Sequence, residues 1–194
     1  MTVLPRAFYA RPTLDVARDL IGKVLVHVVR GRRTSGVIVE TEAYIGESDP
    51  ACHAARGRTP RNLPLYGPPG YAYVYFNYGM HNLVNAVTEV EGFPAAALIR
   101  ALEPLENEAA MRRRRGRDGV ASDDLCRGPG NLTVALGITL AQNRADLTRG
   151  ALTIEDQGVA RDVVWTPRIG IRVGTDHRWR CVAVGSRAVS GRRA

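Results

Sequence analysis

Three short, apolar, β-prone runs lie close together in the middle of this chain, with turn signals between them. The runs are Tyr71–Phe76, Leu83–Val90 and Ala95–Leu102, and the turns are Tyr78-Gly79 and Gly92-Phe93-Pro94. Runs of this length, joined by a few glycine- or proline-containing residues, are typical of antiparallel neighbours. The centre of the chain is therefore predicted to be an antiparallel sheet.

The remaining pattern adds further strands and a few separate helices. Strands are predicted at Lys23–Val29 and Ser35–Tyr44, and near Leu152–Glu155, Ile169–Val173 and Trp179–Val184; helices are predicted from Thr13 to Gly22, at Glu106–Arg115 and at Leu132–Leu136. This segregation indicates an α+β fold with a mainly antiparallel sheet and peripheral helices. The length of 194 residues and the 45% apolar content predict one compact domain over residues 1–194. The Gly/Pro-rich segment Gly46–Gly70 is long for a structureless loop, which favours a functional role.

The charge of the chain favours a polyanionic partner without proving one. The formal net charge is +8, nearly all of it from arginine, and Lys23 is the single lysine. Such a surplus suits nucleic acid, because each neutralised phosphate releases a counterion. Arginine on a solvated face explains it equally well. The run Arg112–Arg115 has the same two interpretations, since cations at a helix C-terminus also suit the helix dipole.

Several classes of protein are disfavoured by what the sequence lacks. The three cysteines, Cys52, Cys126 and Cys181, are far apart and form no CxxC motif, which argues for a reduced compartment. No apolar run approaches the roughly 18 residues needed to span a bilayer, and no secretory signal is recognisable. These features predict a cytosolic protein with no membrane association. No metal-site spacing and no nucleotide-binding or hydrolase motif is found.

Two carboxylates share one face of the strand that ends at Tyr44. In Val37–Tyr44, alternation places Ile38, Glu40, Glu42 and Tyr44 together. A buried carboxylate needs a partner or a shifted pKa, so an apolar strand that carries two of them suggests an active site. An edge strand whose polar face meets water is the alternative.

A cluster of aromatic and polar residues follows in the chain. Alternation places Tyr71, Tyr73 and Tyr75 on one face, which by itself predicts ordinary cross-strand packing. Tyr78, at a tight turn beside Gly79, is better placed to wedge between base pairs than to enter a core. His53, Asn85 and Arg100 are polar residues in the same neighbourhood, and each alone is a weak signal.

Taken together, these residues resemble the alkyladenine DNA glycosylase family, also called N-methylpurine or 3-methyladenine DNA glycosylase, of the mammalian type. The matching segments are Val39-Glu40-Thr41-Glu42-Ala43-Tyr44, His53, Thr59-Pro60-Arg61-Asn62, Tyr75-x-x-Tyr78-Gly79-Met80, Asn85, Arg100-Ala101-Leu102-Glu103-Pro104, Gly128-Pro129-Gly130-Asn131-Leu132 and Pro167-Arg168-Ile169-Gly170-Ile171. They cover nearly the whole chain in matching order and spacing. The resemblance, which is to a bacterial member of the family, also implies a single compact domain with a curved antiparallel sheet.

The resemblance implies a role for each matching position. Glu42 corresponds to the catalytic carboxylate that activates water. Tyr44, His53 and Tyr75 correspond to residues that contact the flipped base, Asn85 to the residue that excludes guanine, and Arg100 to a basic support of the site and of the flipped nucleotide. Tyr78 corresponds to the side chain that fills the gap left in the duplex.

The activity so implied is monofunctional hydrolysis of the N-glycosidic bond of damaged purines in double-stranded DNA. The expected substrates are 3-methyladenine, 7-methylguanine, hypoxanthine and ethenoadenine, with no metal or organic cofactor, a monomeric protein, and a location in the bacterial cytosol and nucleoid. A non-catalytic nucleic-acid-binding module is the main alternative, although it has no use for a carboxylate that repels phosphate. A strand-cleaving glycosylase is disfavoured because its amine nucleophile would have to be Lys23 or the N-terminus. A hydrolase of free nucleosides would not explain Tyr78 or the positive charge.

Overall fold

The computed structural model describes residues 2–77, 79–116 and 119–191, in which nine β-strands form one antiparallel sheet with five short α-helices around it. The strands are β1 Thr2–Val3, β2 Val24–Val29, β3 Arg32–Ile45, β4 Ala72–Asn77, β5 His81–Val87, β6 Ala95–Glu106, β7 Leu152–Asp156, β8 Val163–Thr166 and β9 Arg180–Ala183. The helices are α1 Arg6–Tyr9, α2 Thr13–Asp19, α3 Glu108–Arg115, α4 Ser122–Leu125 and α5 Pro129–Leu136, with 3₁₀ turns at Leu63–Tyr66 and Leu140–Gln142.

The sheet is open, and its centre is the pair of long strands β3 and β6. The order is β1-β7-β2-β3-β6-β5-β4. Past the pair of Val37 with Val24, where β2 begins, the edge of β3 pairs with β9, which pairs in turn with β8. The predicted α+β class with a mainly antiparallel sheet is confirmed, and the structure is one compact domain.

The part of the sheet formed by β3, β6, β5 and β4 has two chemically different faces, because side chains alternate along each strand. One face carries Ala72, Val74, Val84, Ala86, Ala97 and Ile99 into the main core. There it packs against α2 and α5. The other face carries Tyr73, Val87 and Ala96 into a smaller cluster with Cys52, Ala54, Leu65 and Tyr66. The predicted loop after β3 thus packs on the second face, and that face carries the candidate site.

The predicted strand at Ile169–Val173 is wrong. The segment has no regular structure, and the strand nearest to it in the chain is β8, which ends at Thr166 and pairs with β9. Pro167 has no N–H for a ladder, Gly170 and Gly174 have φ values of 79° and 62°, and the Ile169 N–H donates to a side chain. The apolar residues here are typical of a strand, but the glycines between and after them turn the backbone.

The arginine run at the end of α3 is largely used within the protein. Arg114 donates to the carbonyl oxygen of Ala135 at 2.8 Å, near the end of α5. Arg112 donates to Glu108 and to the Val120 carbonyl, and Arg115 donates to the Leu125 carbonyl. These bonds favour a structural role for the three guanidinium groups over phosphate contact.

Within the described ranges, no helix has the length and apolar content to cross a membrane. The longest, α3 and α5, have eight residues each, whereas a bilayer requires about 20.

Candidate active site

A row of side chains crosses four neighbouring strands on the second face of the sheet. Tyr73 pairs with Asn85, Asn85 with Leu98, and Leu98 with Glu42. Cross-strand partners point to the same face of a sheet, so strand pairing alone brings these residues together. The register therefore joins Glu42 and Asn85, which are 43 positions apart in the sequence.

Three members of this row, Tyr73, Asn85 and Leu98, form part of the wall of a cavity of ≈ 670 Å³, a volume in the range of small-molecule sites. The loop after β3, between Pro50 and Asn62, and the segment Ile169–Val173 complete the wall. Five residues singled out from the sequence line this cavity: Tyr44, His53, Tyr75, Asn85 and Arg100. Glu42 does not itself line the cavity, but its three hydrogen-bond partners, Tyr44, Arg100 and Ile169, do. Tyr78 lies outside the described residues.

Glu42 is fully buried and held by three hydrogen bonds. Its Oε1 accepts the Ile169 N–H at 2.7 Å. Its Oε2 accepts the Tyr44 hydroxyl at 2.7 Å and Arg100 Nη1 at 3.1 Å. A carboxylate offers about four acceptor positions. Among the described residues, one position on Oε1 therefore has no donor.

Glu40 has the same burial but more donors around it. Its Oε1 accepts Arg100 Nε at 2.9 Å, Arg180 Nε at 2.6 Å and the Ser190 hydroxyl at 2.8 Å, and its Oε2 accepts the Ser190 N–H at 2.7 Å. Four donors, two of them arginines, thus hold the Glu40 carboxylate, whereas three donors, one of them an arginine, hold Glu42. Glu40 is thus a structural anion that orients two arginines, and the alternative of a water-facing edge strand does not apply.

The environments of the two carboxylates move their pKa values in opposite directions. Burial raises the pKa of Glu42 above its ordinary value, and the charge of Arg100 with the bonds from Ile169 and Tyr44 offsets this only in part. Burial alone would also raise the pKa of Glu40, but Arg100, Arg180 and Ser190 hold it below its ordinary value. Such divergence between neighbouring acids is typical of sites where one acid exchanges protons and the other stays ionised.

The pairing of β3 with β6 is irregular at the point where Arg100 lies between the two carboxylates. The β3–β6 register shifts on either side of Glu40, so Val39 and Arg100 have no Cα partner in the ladder. Such bulges re-aim side chains and are frequent beside active sites. The guanidinium of Arg100 then spans both glutamates and reaches the Ser190 hydroxyl at 3.3 Å.

One wall of the cavity is aromatic. The ring centroids of His53 and Tyr75 are 4.4 Å apart at 70°, and those of Tyr73 and Tyr75 are 5.2 Å apart. His53 Nδ1 is 2.9 Å from the Tyr73 hydroxyl oxygen, which leaves Nε2 available to the cavity. His53 is an exposed residue, but the protein atoms around its ring still desolvate it in part. This desolvation, with the charge of Arg61, lowers the pKa of His53 and favours a neutral ring at pH 7.

Asn85 is fixed by the neighbouring strand. Its Nδ2 donates to the Tyr73 carbonyl oxygen at 2.9 Å, and the side chain is buried. Because the amide nitrogen is used there, the orientation of the amide is set. A rigid amide on a cavity wall is suited to distinguish ligands by shape and hydrogen bonding.

A buried ion pair behind the cavity was not predicted from the sequence. Arg168 makes a two-pronged pair with Asp49 at 2.6 and 2.9 Å, and both side chains are completely buried. The guanidinium carbon lies 4.8 Å from the Tyr44 ring centre and 5.1 Å from that of Trp179. The sequence signal that could have found it is the motif Pro167-Arg168-Ile169-Gly170. Because this region was predicted to form a strand, no contact between it and Glu42 was expected.

Three exposed arginines, Arg56, Arg61 and Arg172, line the cavity. None forms an ion pair with a described residue. Arg61 instead donates to the Phe76 carbonyl at 3.1 Å, and its guanidinium lies 5.8 Å from the Tyr75 ring centre. Uncompensated cations around a cavity attract a polyanionic ligand.

A second cavity, of ≈ 640 Å³, contains none of the residues predicted for the site. It is lined by Pro64, Tyr66, Tyr71 and Arg144 among others. Within the described part of the chain, no group of three or more His, Cys, Asp or Glu residues is arranged to hold a metal ion. The cavity lined by the three partners of Glu42 is therefore the candidate active site.

Residues 7–187 match the methylpurine-DNA glycosylase family. A protein of Methanocella arvoryzae is 50% identical over 99% of this chain and 98% of its own length. A protein of Burkholderia lata is 50% identical over 97% of this chain and 91% of its own length, and one of Chlorobium phaeobacteroides is 46% identical over 100% of this chain and 98% of its own. Each is provisionally named a 3-methyladenine DNA glycosylase.

Proposed function

Because the chain belongs to the methylpurine-DNA glycosylase family and is thus a DNA glycosylase, we propose that it flips a damaged purine out of duplex DNA and hydrolyses its N-glycosidic bond. The product is an abasic site. The observation that carries the proposal is the buried carboxylate of Glu42, bonded to three residues of the cavity wall, with a raised pKa and an acceptor position left open on Oε1.

In this proposal Glu42 acts as general base on one water. Breaking the bond builds positive charge on the sugar, as in glycoside hydrolysis. An ionised Glu42 stabilises that charge and takes a proton from the attacking water. Arg100 and the Ile169 N–H hold the carboxylate in place, while Glu40 keeps Arg100 oriented. No step in this scheme uses a metal or an organic cofactor.

The flipped base would lie between Tyr44 and the wall formed by His53 and Tyr75. The contact of 4.4 Å between the His53 and Tyr75 rings leaves no space for a base between them, which supports placing both on one side. Aromatic faces bind extruded bases by stacking. Asn85, fixed on the cavity wall, would exclude the exocyclic amine of guanine. Tyr78 is proposed to fill the gap in the duplex.

The proposed substrates are 3-methyladenine, 7-methylguanine, hypoxanthine and ethenoadenine. Alkylation at N3 or N7 makes the purine cationic, and it then leaves readily as a neutral base. The two neutral lesions need protonation or strong hydrogen bonding of the leaving base. The excision of these two lesions should therefore depend more on the polar groups of the cavity than the excision of the methylated purines does.

The proposed partner is double-stranded DNA, which a monomer would engage in the bacterial cytosol. Arg56, Arg61 and Arg172, around the cavity and without ion pairs to described residues, would meet phosphates of the damaged strand. We further propose that the enzyme is monofunctional. Lys23, its only lysine, is paired with Asp156 at 2.7 Å and does not line the cavity.

Base release from a panel of duplexes tests the proposal. Each duplex carries one of the four lesions, and an undamaged duplex is the control. Alkali then cleaves the abasic product. The proposal expects release from lesion duplexes with no strand cleavage before alkali. Tight binding without release would favour the alternative of a non-catalytic DNA-binding module, and release only from free nucleosides would favour a nucleoside hydrolase.

A further inference from the structure

We propose that the buried pair Asp49–Arg168 is a positioning device for the general base, which holds the donor and the tyrosine that bond to Glu42. This inference rests on the proposed function of Glu42. It assigns a role to two residues that do not touch the reacting atoms, so Arg168 is a positioning residue and not a catalytic one.

The pair clamps three parts of the chain together. Arg168 Nη1 donates to Asp49 Oδ2 and to the Ala43 carbonyl at 3.0 Å, and Nη2 donates to Asp49 Oδ1 and to the Gly174 carbonyl at 3.3 Å. Asp49 also accepts the N–H groups of Ile45 and Ala51. Strand β3, the loop after it and the segment around Ile169 are thereby fixed relative to one another.

Two routes lead from this clamp to Glu42. Ile169 is the residue next to Arg168, and its N–H is the donor to Oε1 at 2.7 Å. The Arg168 guanidinium also packs against the Tyr44 ring, whose hydroxyl donates to Oε2. Two of the three hydrogen bonds to Glu42 therefore depend on where Arg168 lies. The third comes from Arg100, on β6.

Stability alone does not account for the pair. Apolar residues of similar volume often replace a buried ion pair at no loss, because desolvation offsets most of the attraction. Arg168 Nε, moreover, is buried with no hydrogen-bond partner among the described residues. A planar guanidinium gives direction as well as charge, with two parallel bonds to a carboxylate and two flat faces for aromatic rings. That geometry suits fixing the orientation of a neighbouring segment.

The charged and titratable groups around Glu42 determine in which direction its pKa should move when Arg168 is altered. Glu40 and Tyr44 face it from β3, Arg100 from β6, Tyr75 from β4, and Arg168 from the segment after β8. Weakening the bonds from Ile169 and Tyr44 disfavours the ionised carboxylate, so the pKa of Glu42 rises further. The base is active when ionised, and the acidic limb of the excision rate should then move to higher pH.

Arg168→Lys tests the inference, because it keeps a positive charge but loses the planar fork and the stacking surface. In single-turnover excision of hypoxanthine we expect a rate lower by roughly 10- to 100-fold, the scale of a small misplacement of a catalytic group. The acidic limb should move up by on the order of one pH unit. Affinity for the lesion duplex, measured by gel shift, should stay within about threefold because phosphate contacts dominate it.

Arg33→Lys is the matched control. Arg33 also makes a two-pronged pair, with Glu155 at 2.8 Å for both bonds, and it does not line the cavity. An unshifted acidic limb in Arg168→Lys, or an equal shift in Arg33→Lys, overturns the inference. If Arg168→Lys does not fold, the pH profile of Trp179→Leu takes its place as the test. This variant removes one of the two aromatic rings that pack on the Arg168 guanidinium and leaves the ion pair with Asp49 intact. A smaller shift in the same direction supports the role, and no shift refutes it.

Different results would refute the proposed function of Glu42 and the positioning role of Arg168. If the unaltered protein releases no base, or Glu42→Gln excises normally, Glu42 is not the base. If the unaltered protein is active and Glu42→Gln is not, an unshifted profile in Arg168→Lys removes only the positioning role.

Discussion

Glu40 and Glu42 are equally buried neighbours on one strand face, yet we expect their replacement by glutamine to affect stability in different ways. Glu40→Gln removes the charge that accepts four hydrogen bonds from Arg100, Arg180 and Ser190. Removing one partner of a buried pair costs about 3–5 kcal/mol of unfolding free energy, because the remaining charge is uncompensated. For a chain of this length that corresponds to a melting temperature lower by roughly 6–20 °C.

Glu42→Gln should be milder. Arg100 keeps Glu40 as a partner. The glutamine oxygen still accepts the Ile169 N–H and its nitrogen can donate to the Tyr44 hydroxyl, so that the bond from Arg100 Nη1 is the one lost. The raised pKa of Glu42 means that burial costs the ionised form more than its partners return. We therefore expect destabilisation by about 1–3 kcal/mol, less than the loss in Glu40→Gln.

The pH dependence of these differences has a defined sign. The pKa of Glu40 is lowered in the folded state, so its stabilisation is present above the ordinary value of 4.5 and is lost as pH falls through the folded value. The pKa of Glu42 is raised, so stability is greatest below 4.5 and is lost as pH rises through the raised value. Relative to the unaltered protein, Glu42→Gln should therefore gain stability as pH rises above 4.5.

Urea denaturation of both variants at several pH values measures these quantities without any DNA. Glu155→Gln is a suitable control, because it removes another buried, arginine-paired carboxylate that does not line the cavity. A loss in Glu42→Gln as large as that in Glu40→Gln would refute the division of roles between the two carboxylates. So would a Glu42→Gln variant whose relative stability falls as pH rises.

Three further outcomes are expected. Asn85→Ser should raise excision of guanine relative to hypoxanthine, because a shorter side chain no longer crowds the exocyclic amine; an unchanged ratio would make Asn85 structural. Tyr78→Ala should lower excision from duplex DNA more than from single strands, since unstacking costs a few kcal/mol that a wedge offsets; equal losses would remove that role. Borohydride should trap no protein–DNA adduct during turnover, and a trapped band that vanishes in Lys23→Ala would overturn the monofunctional assignment.

Alternation along strands explains why much of the site was predictable. The pattern in Val37–Tyr44 placed Glu40, Glu42 and Tyr44 on one face, and the register of β3 to β6 then aligned that face with Asn85. The turns around Gly79 and Gly92 likewise predicted the neighbouring strands. Periodicity alone made Glu40 and Glu42 equal candidates, however, and the family resemblance selected Glu42.

The contacts that distinguish the two carboxylates join distant parts of the chain. The Ile169 N–H reaches Glu42 across 127 positions, and Ser190 reaches Glu40 across 150. Local propensity carries no information about such pairings. In the segment around Ile169 it was misleading, because apolar composition predicted a strand where glycines and a proline turn the backbone. The second arginine that binds Glu40 and not Glu42 is visible only in the folded structure.

Single-turnover excision of hypoxanthine by Glu42→Gln tests the central claim most directly. Glutamine keeps the shape of the side chain but cannot take a proton from water, so general-base loss alone predicts a rate about 10²–10⁴-fold lower. Loss of the charge beside the cationic sugar should add to this. Gel-shift affinity for the lesion duplex should be nearly unchanged, and Glu155→Gln should excise normally. Excision by Glu42→Gln at the rate of the unaltered protein would contradict the assignment of Glu42 as the base.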